Sequence, residues 1–213
     1  MGPKPSSSAK ERGTGPLDYD DGPIIWIDCE MTGLDPNKDR LLEIALIITN
    51  GDLSPIDPQG ISFIIKTDKE VLDNMNEWCI KHHGESGLTA ACLASKHTFD
   101  YVSRSVLRYV KDRIPRERVA VLAGNSVHMD RAFLTKYMPG LINHLHYRII
   151  DVSTIKELCR RWYPEVTEAK RTQPMEKENK HRALDDILGS IEELRFYRQH
   201  IFKDPSDIVS SNI

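Results

Sequence analysis

The chain has 213 residues, 39% hydrophobic and 29% charged, a composition that fits one folded domain large enough to bury a core. A net charge of −3 spreads no basic field over the molecule, so a long nucleic acid held by general electrostatics is excluded; a nucleic-acid substrate has to be short, or gripped locally. Four scattered cysteines and the absence of any apolar run of roughly 18 residues point to reduced thiols in an intracellular, membrane-free setting, with the cytoplasm expected first and mitochondria or nucleus as alternatives.

Residues 1–22 are rich in Gly, Pro and Ser and carry Asp18, Asp20 and Asp21, so they read as a disordered tail, too acidic for a mitochondrial transit peptide. The folded domain is expected over 23–202, with 203–213 as a C-terminal tail. It opens on IIWIDCEM (24–31), a strand with two acids set into it. Side chains alternate along a strand, so Asp28 and Glu30 share one face and Ile25, Ile27, Cys29 and Met31 take the other. Two like charges held close are costly unless something positive neutralises them, and a divalent cation is the obvious candidate.

LLEIALIIT (41–49) and ISFIIK (61–66) follow as strands, separated by the turn signals TGLDPN and NGD with Pro55 and Pro58. Connections this short favour an antiparallel meander. A helical region then runs from about 68 to 113, broken at Gly84, Gly87 and His97-Thr98. VAVLAGNS (119–126) reads as a buried strand leading into a helix over 130–138, and RIIDVS (148–153) as a short strand opening a helix over 153–162. Residues 165–180 are polar and contain Pro174, which predicts a solvated loop. A helix over 182–201 closes the domain, with Leu184, Ile187, Leu188, Ile191 and Leu194 on its buried face. Strands first, then strands alternating with helices, imply an α/β fold: a mixed five-stranded sheet flanked by helices, its acidic first strand central.

Three further residues join the two acids as candidates. Asp130 lies where NSVHMDRAFL turns from strand into helix; alone it reads as well as a first-turn acid meeting the helix dipole. KHRALDDIL supplies His181, whose near-neutral pKa suits a general base, and an acid one turn on. Helical phase does not separate Asp185 from Asp186, although Asp186 shares its side with the small residues Ala183 and Ser190. Together these residues form a hard-oxygen cluster with a base. Carboxylates select Mg²⁺ or Mn²⁺ over Zn²⁺, and a pair of such ions can hold both the attacking and the leaving oxygen of a phosphodiester. A zinc set drawn from Cys79, His82, Cys92 and His97 has loose spacing, and the two cysteines read better as small core hydrophobes.

D-x-E in the first strand, a later Asp, and H-x4-D resemble the DEDDh 3′-to-5′ exonucleases of the ribonuclease H-like superfamily. Within them DCEMTGLD, LLEIA, EWC, GNSV-x-x-DR-x-F, DVST and HRALDDI, dispersed over residues 24–194, are similar to the oligoribonuclease family. The resemblance implies Asp28, Glu30, Asp130 and Asp186 as metal-binding acids, selects Asp186 over Asp185, and implies His181 as the general base. It implies cleavage of short RNA, down to dinucleotides, from the 3′ end to 5′-mononucleotides. Leu34 then matches a wedge between two bases, Trp78 a stacking aromatic, and His83 a histidine facing the substrate's 3′ end. Ser126, Tyr147, Arg148 and Ser153 match positions that hold the 5′ phosphate, with Tyr147 and Arg148 reaching the active site of the other subunit of a homodimer. Without the resemblance, Leu34 and Trp78 would read as core or loop anchors, the serines as caps, and Tyr147-Arg148 as a strand-edge aromatic beside a solvated charge. His128-Met129 depart from the pattern of many members. A DNA or longer-RNA exonuclease, and a non-catalytic binding module of the same fold, are the rival classes.

Overall fold

The computed structural model describes residues 15–171 and 182–203. Among them five strands form one mixed sheet in the order β3-β2-β1-β4-β5. β1 (Ile24–Met31), β2 (Leu41–Thr49) and β3 (Ile61–Ile64) make the expected antiparallel meander, while β4 (Val121–Gly124) and β5 (Ile149–Asp151) run parallel to β1. The acid-bearing strand is therefore central. β3 ends two residues earlier than expected: Ile65 still donates its N–H to Leu42 of β2, and the chain then turns away, Lys66 donating to the carbonyl of His97.

The helical region after the meander resolves into α1 (Lys69–Asp73), α2 (Glu77–Glu85), α3 (Leu88–Ala94) and α4 (Phe99–Arg113). Gly87, at φ +77°, makes the break between α2 and α3, and Thr98 caps α4 by accepting the Tyr101 N–H. Gly84 does not break anything; it lies inside α2. Beyond β4 come α5 (His128–Tyr137) and α6 (Pro139–His144), and beyond β5 come α7 (Val152–Trp162), α8 (Pro164–Arg171) and α9 (Ala183–His200).

Three expectations need correction. Residues 165–171 are helical, not loop: Pro164 at the first position, Glu165 in the first turn and Lys170 and Arg171 in the last complement the helix dipole, and Val166 packs on the core. The rest of that polar run, 172–180, lies outside the described residues. On α9 the buried stripe runs through Ala183, Ile187, Ser190, Ile191 and Tyr197, which turns Leu188 outward to 43% exposure. Residues 17–22, read as tail, are attached to the domain: Leu17 donates its N–H to Arg113, and the Gly51 N–H reaches Asp21.

β1 divides the core as its alternation predicts. Ile25, Ile27 and Cys29 pack with Val102, Val106 and Val110 of α4 and with Phe133 of α5. Ile24 and Trp26 pack on the other face with Ala183, Ile187 and Ile191 of α9 and Val152 of α7. Asp28 and Glu30 continue that second face, half-buried, where α9 begins. A sheet face covered by a helix up to its first turn, and open beyond it, is what places acids at the edge of a core.

Candidate active site

Asp28 and Glu30 from β1 and Asp186 from α9 each bring one carboxylate oxygen within 4.8 Å of the other two. Asp186 is half-buried and Asp185 exposed, so the structure separates the two acids that helical phase left equivalent. Asp130 is buried in the first turn of α5, where its Oδ1 accepts the Cys29 N–H at 2.9 Å. It stands outside the three-oxygen group but beside it, and after burial its charge acts on Asp28 more strongly than those of Asp186 and Glu30. His181 lies outside the described residues.

These acids resist ionising together. Burial, followed by the charges of Asp130, Asp186 and Glu30, pushes Asp28 up to about 9. Burial, then Asp186 and Glu43, pushes Glu30 up to about 8. Asp130 is pushed up to about 7 by burial, against the pull of the Cys29 N–H. Oxygen donors only, close together and mutually repelling, fit a hard divalent cation, since a positive ion removes the repulsion that holds the protons on. Among the described residues no other group of side chains is placed to hold a metal. The zinc set does not assemble: Cys79 and Cys92 are buried in a small apolar cluster, while His82 stacks on Trp78 and His97 on Tyr101.

A cavity of about 560 Å³ opens beside Glu30, lined by Met31, Leu34, Trp78, Cys79 and His83 among others. Leu34 and Trp78 flank it at 71% and 60% exposure, far from the core positions their type alone would predict. His83 is buried; its Nε2 bonds to the Met31 carbonyl at 2.9 Å, and its Nδ1 lies 3.9 Å from Glu30 Oε2. A carbonyl only accepts, so the proton is on Nε2 and the Nδ1 lone pair faces Glu30. Burial holds this imidazole below its ordinary pKa.

Ser126 and Ser153 meet at the C-terminal ends of β4 and β5. Ser126, at φ +52°, donates its N–H to Asp151 Oδ1 and Ser153 Oγ, both at 2.9 Å, and the two hydroxyl oxygens are 3.1 Å apart. His128 joins this corner, its Nδ1 3.4 Å from Asp151 Oδ2. Asn125 ties the corner to α9: Ser153 Oγ donates to its Oδ1, and its Nδ2 donates to Ser190 Oγ and Glu193 Oε2. Tyr147 and Arg148 lie apart. Tyr147 is 64% exposed and stacked on His146, with the Arg148 guanidinium over its ring. Among the described residues neither side chain pairs with an acid of the cluster.

Sequence reading passed over two residues at this site. Glu43 stands opposite Glu30 across the β1–β2 ladder and is buried, and Arg182 grips it from the residue before α9, through Nε at 3.0 Å and Nη2 at 3.1 Å. The signal was present: a lone acid inside the apolar run LLEIALIIT raises the same question as the acids of IIWIDCEM.

The chain matches the family described as Exonuclease over residues 25–194. It is 52% identical over 184 residues to the mitochondrial oligoribonuclease of Bos taurus, covering 86% of this chain and 75% of that protein. To the oligoribonuclease of Colwellia psychrerythraea it is 48% identical over 183 residues, covering 86% and 97%. Among solved structures, E. coli exonuclease I in complex with a dA16 oligonucleotide superposes with a TM-score of 0.66 at 14% identity, covering 84% of this chain and 41% of that one. Exonuclease I of Methylocaldum szegediense gives 0.63 at 17% identity, again with 84% and 41% coverage. The chain thus spans about two fifths of those exonucleases, and the likeness to them shows the fold, the expected ribonuclease H-like sheet. At half identity over most of its length, the chain belongs to the oligoribonuclease family, metal-dependent exoribonucleases of the ribonuclease H-like superfamily.

Proposed function

We propose that this enzyme removes 5′-mononucleotides from the 3′ end of short oligoribonucleotides, down to dinucleotides, at the Asp28–Glu30–Asp186 cluster. The observation that carries the reading is the junction of that cluster with a cavity flanked by exposed Leu34 and Trp78. A metal site opening onto a hydrophobic slot suits a phosphodiester whose bases are held beside it.

Asp28, Glu30, Asp130 and Asp186 would hold two Mg²⁺ or Mn²⁺ ions. Bound there, such ions would neutralise the carboxylates, lower the pKa of the attacking water and stabilise charge on the phosphate. His181, as general base, accepts a proton from that water; its oxygen attacks the phosphorus, the P–O3′ bond breaks, and the departing 3′ oxygen takes a proton from solvent. Leu34 wedges between the two bases and Trp78 stacks on one of them, worth about 1–3 kcal/mol. His83, already held by Met31, faces the 3′ end of the substrate. Ser126 and Ser153 take the 5′ phosphate, and Tyr147 and Arg148 of a second copy close over it in a homodimer. A site that caps the 5′ phosphate admits no long chain, which agrees with a net charge of −3. The cytoplasm is the proposed compartment, with mitochondria or nucleus as alternatives; mitochondria appear in the names of several relatives.

The test is a labelled RNA series from dinucleotide to long single strand, with Mn²⁺ and a chelator control. Preferential conversion of the dinucleotide is expected. Digestion of the long strand with the dinucleotide left over would place the enzyme with general exonucleases and remove the roles given to Tyr147 and Arg148.

A further inference from the structure

Glu43 is 1% exposed, in the middle of a strand whose every residue is buried, and it faces the same side of the sheet as Asp28 and Glu30. The reaction as proposed makes no use of it. A lone carboxylate there would be desolvated and would add another negative charge to an acid cluster that already repels itself. Its oxygens are instead fully engaged: Arg182 Nε donates to Oε2, and Arg182 Nη2 and Ser62 Oγ donate to Oε1 at 3.1 and 3.0 Å. Two parallel bonds from a planar guanidinium fix orientation as well as distance.

Arg182 is fixed at its other end too. It is the residue before α9, and its carbonyl accepts the N–H groups of Asp185 and Asp186. The Arg182 side chain makes no capping bond to this helix, since it is committed to Glu43. Ala183 and Ile187 seat the first turn of α9 on the core, but apolar packing is non-directional and does not by itself aim the acids between them. Beside that packing, the Arg182 side chain ties the turn carrying Asp186 to β2 by directional bonds to a residue 139 positions away in sequence.

We infer that the Glu43–Arg182 pair is a positioning device for the acid cluster: it pins the first turn of α9 to β2, so that Asp186 meets Asp28 and Glu30, and it sets a positive charge against Glu43 beside Glu30. The inference rests on the proposed reading of that cluster as the metal site. A buried ion pair is a poor stabiliser compared with apolar packing of the same volume, so its value here lies in the geometry it imposes. Partners that orient metal ligands from behind typically change affinity or activity about 10–100-fold when removed.

The test uses the full chain, with Arg182→Gln, Glu43→Gln and the conservative Arg182→Lys, each checked for folding by circular dichroism and assayed well below its Tm. Mn²⁺ affinity is read by titration calorimetry, and kcat and KM on a dinucleotide. Both Gln variants are expected to lose about 10–100-fold in Mn²⁺ affinity and kcat, as for other residues that orient metal ligands. KM is expected to stay within about threefold, because base contacts are untouched. Arg182→Lys, which keeps the charge but not the fork, is expected to fall between them and the parent. Should Arg182→Gln not fold, the isosteric Glu43→Gln carries the test on the same thresholds. Folded Gln variants that lower Tm alone, with Mn²⁺ affinity and kcat within about twofold of the parent, would make the pair structural and overturn the inference. Asp28→Ala in the same titration separates the two ideas. If it still binds Mn²⁺ like the parent, the metal-site reading fails; if it loses binding while the Gln variants keep theirs, the positioning role alone fails.

Discussion

Asp130 and Cys29, 101 residues apart, are joined by a 2.9 Å hydrogen bond from the Cys29 backbone to the Asp130 carboxylate. β1 pairs with β4 only through Trp26, so beyond that point Asp130 takes the place of a strand partner. It fixes the first turn of α5 to β1 at the residue between Asp28 and Glu30. Asp130→Asn retains an acceptor for Cys29 while removing the charge, and Asp130→Ala removes both. Both are expected to lower kcat by about 100-fold or more, but only the alanine variant is expected to lose stability, by about 1–3 kcal/mol for the stranded N–H. Thermal melts in chelator read the difference.

Asp28 is the acid most strongly opposed to ionising. Asp28→Ala is expected to abolish turnover, by about 10³-fold or more, as loss of a central metal ligand should. Asp28→Asn is expected to raise the Tm of the metal-free protein near pH 8, because a neutral amide spares the folded chain the proton that Asp28 must take up there; about 2–4 °C corresponds to each kcal/mol in a chain of this size. An unchanged or lowered Tm in EDTA would mean that the repulsion is already relieved by other means.

The pH dependence follows from the same shifts. Folded-state pKa values near 9, 8 and 7 for Asp28, Glu30 and Asp130 lie above the ordinary 3.8 to 4.5, so the folded chain holds protons that the unfolded chain has released. Stability from these groups is therefore full below the ordinary values and is lost as pH rises through the folded ones. In chelator, Tm is expected to fall between about pH 5 and 9. Added Mn²⁺ replaces the protons, so the rise in Tm it causes should grow with pH, and its binding near pH 7 should release protons measurable as a buffer dependence of the binding enthalpy.

Leu34 and Trp78 are exposed beside the cavity, so their removal has little packing to disturb. Leu34→Ala and Trp78→Ala are expected to leave Tm within about 1–2 °C, as surface substitutions do. Trp78→Ala should raise the dinucleotide KM about 10- to 100-fold, the range of one lost base stack. A large fall in Tm with KM unchanged would return both residues to a structural role.

How much of this was legible in the chain depended on the distance over which each feature is decided. The meander and the central acidic strand follow from alternation in IIWIDCEM and from short turns, both local. α8 is mostly polar and owes its helix to end charges and one packed valine, which periodicity does not register. Leu188 adjoins Ile187 in sequence, and only the seating of α9 on the sheet decides which of the two is buried. Asp185 and Asp186 were separated in the same way. Glu43 was passed over although it stands as an acid inside an apolar run, and its partner Arg182 is 139 residues on, beyond any pattern in a single sequence.

In the proposed homodimer, Tyr147 and Arg148 act on the other subunit's site, and variants of them test that arrangement. Tyr147→Ala is expected to lose most dinucleotide cleavage while keeping Mn²⁺ affinity. Mixed with inactive Asp28→Ala and allowed to exchange subunits, it should recover about a quarter of parental activity, since half the dimers are mixed and each has one intact site. No recovery on mixing would place Tyr147 at the site of its own chain, or away from any.

The most direct measurement is anomalous diffraction from crystals grown with Mn²⁺ and a non-hydrolysable dinucleotide. Manganese peaks are expected within the group of Asp28, Glu30 and Asp186, with the dinucleotide's bases between Leu34 and Trp78. Manganese bound elsewhere, or a dinucleotide lying away from that cavity with the acids still protonated, would contradict the proposed site.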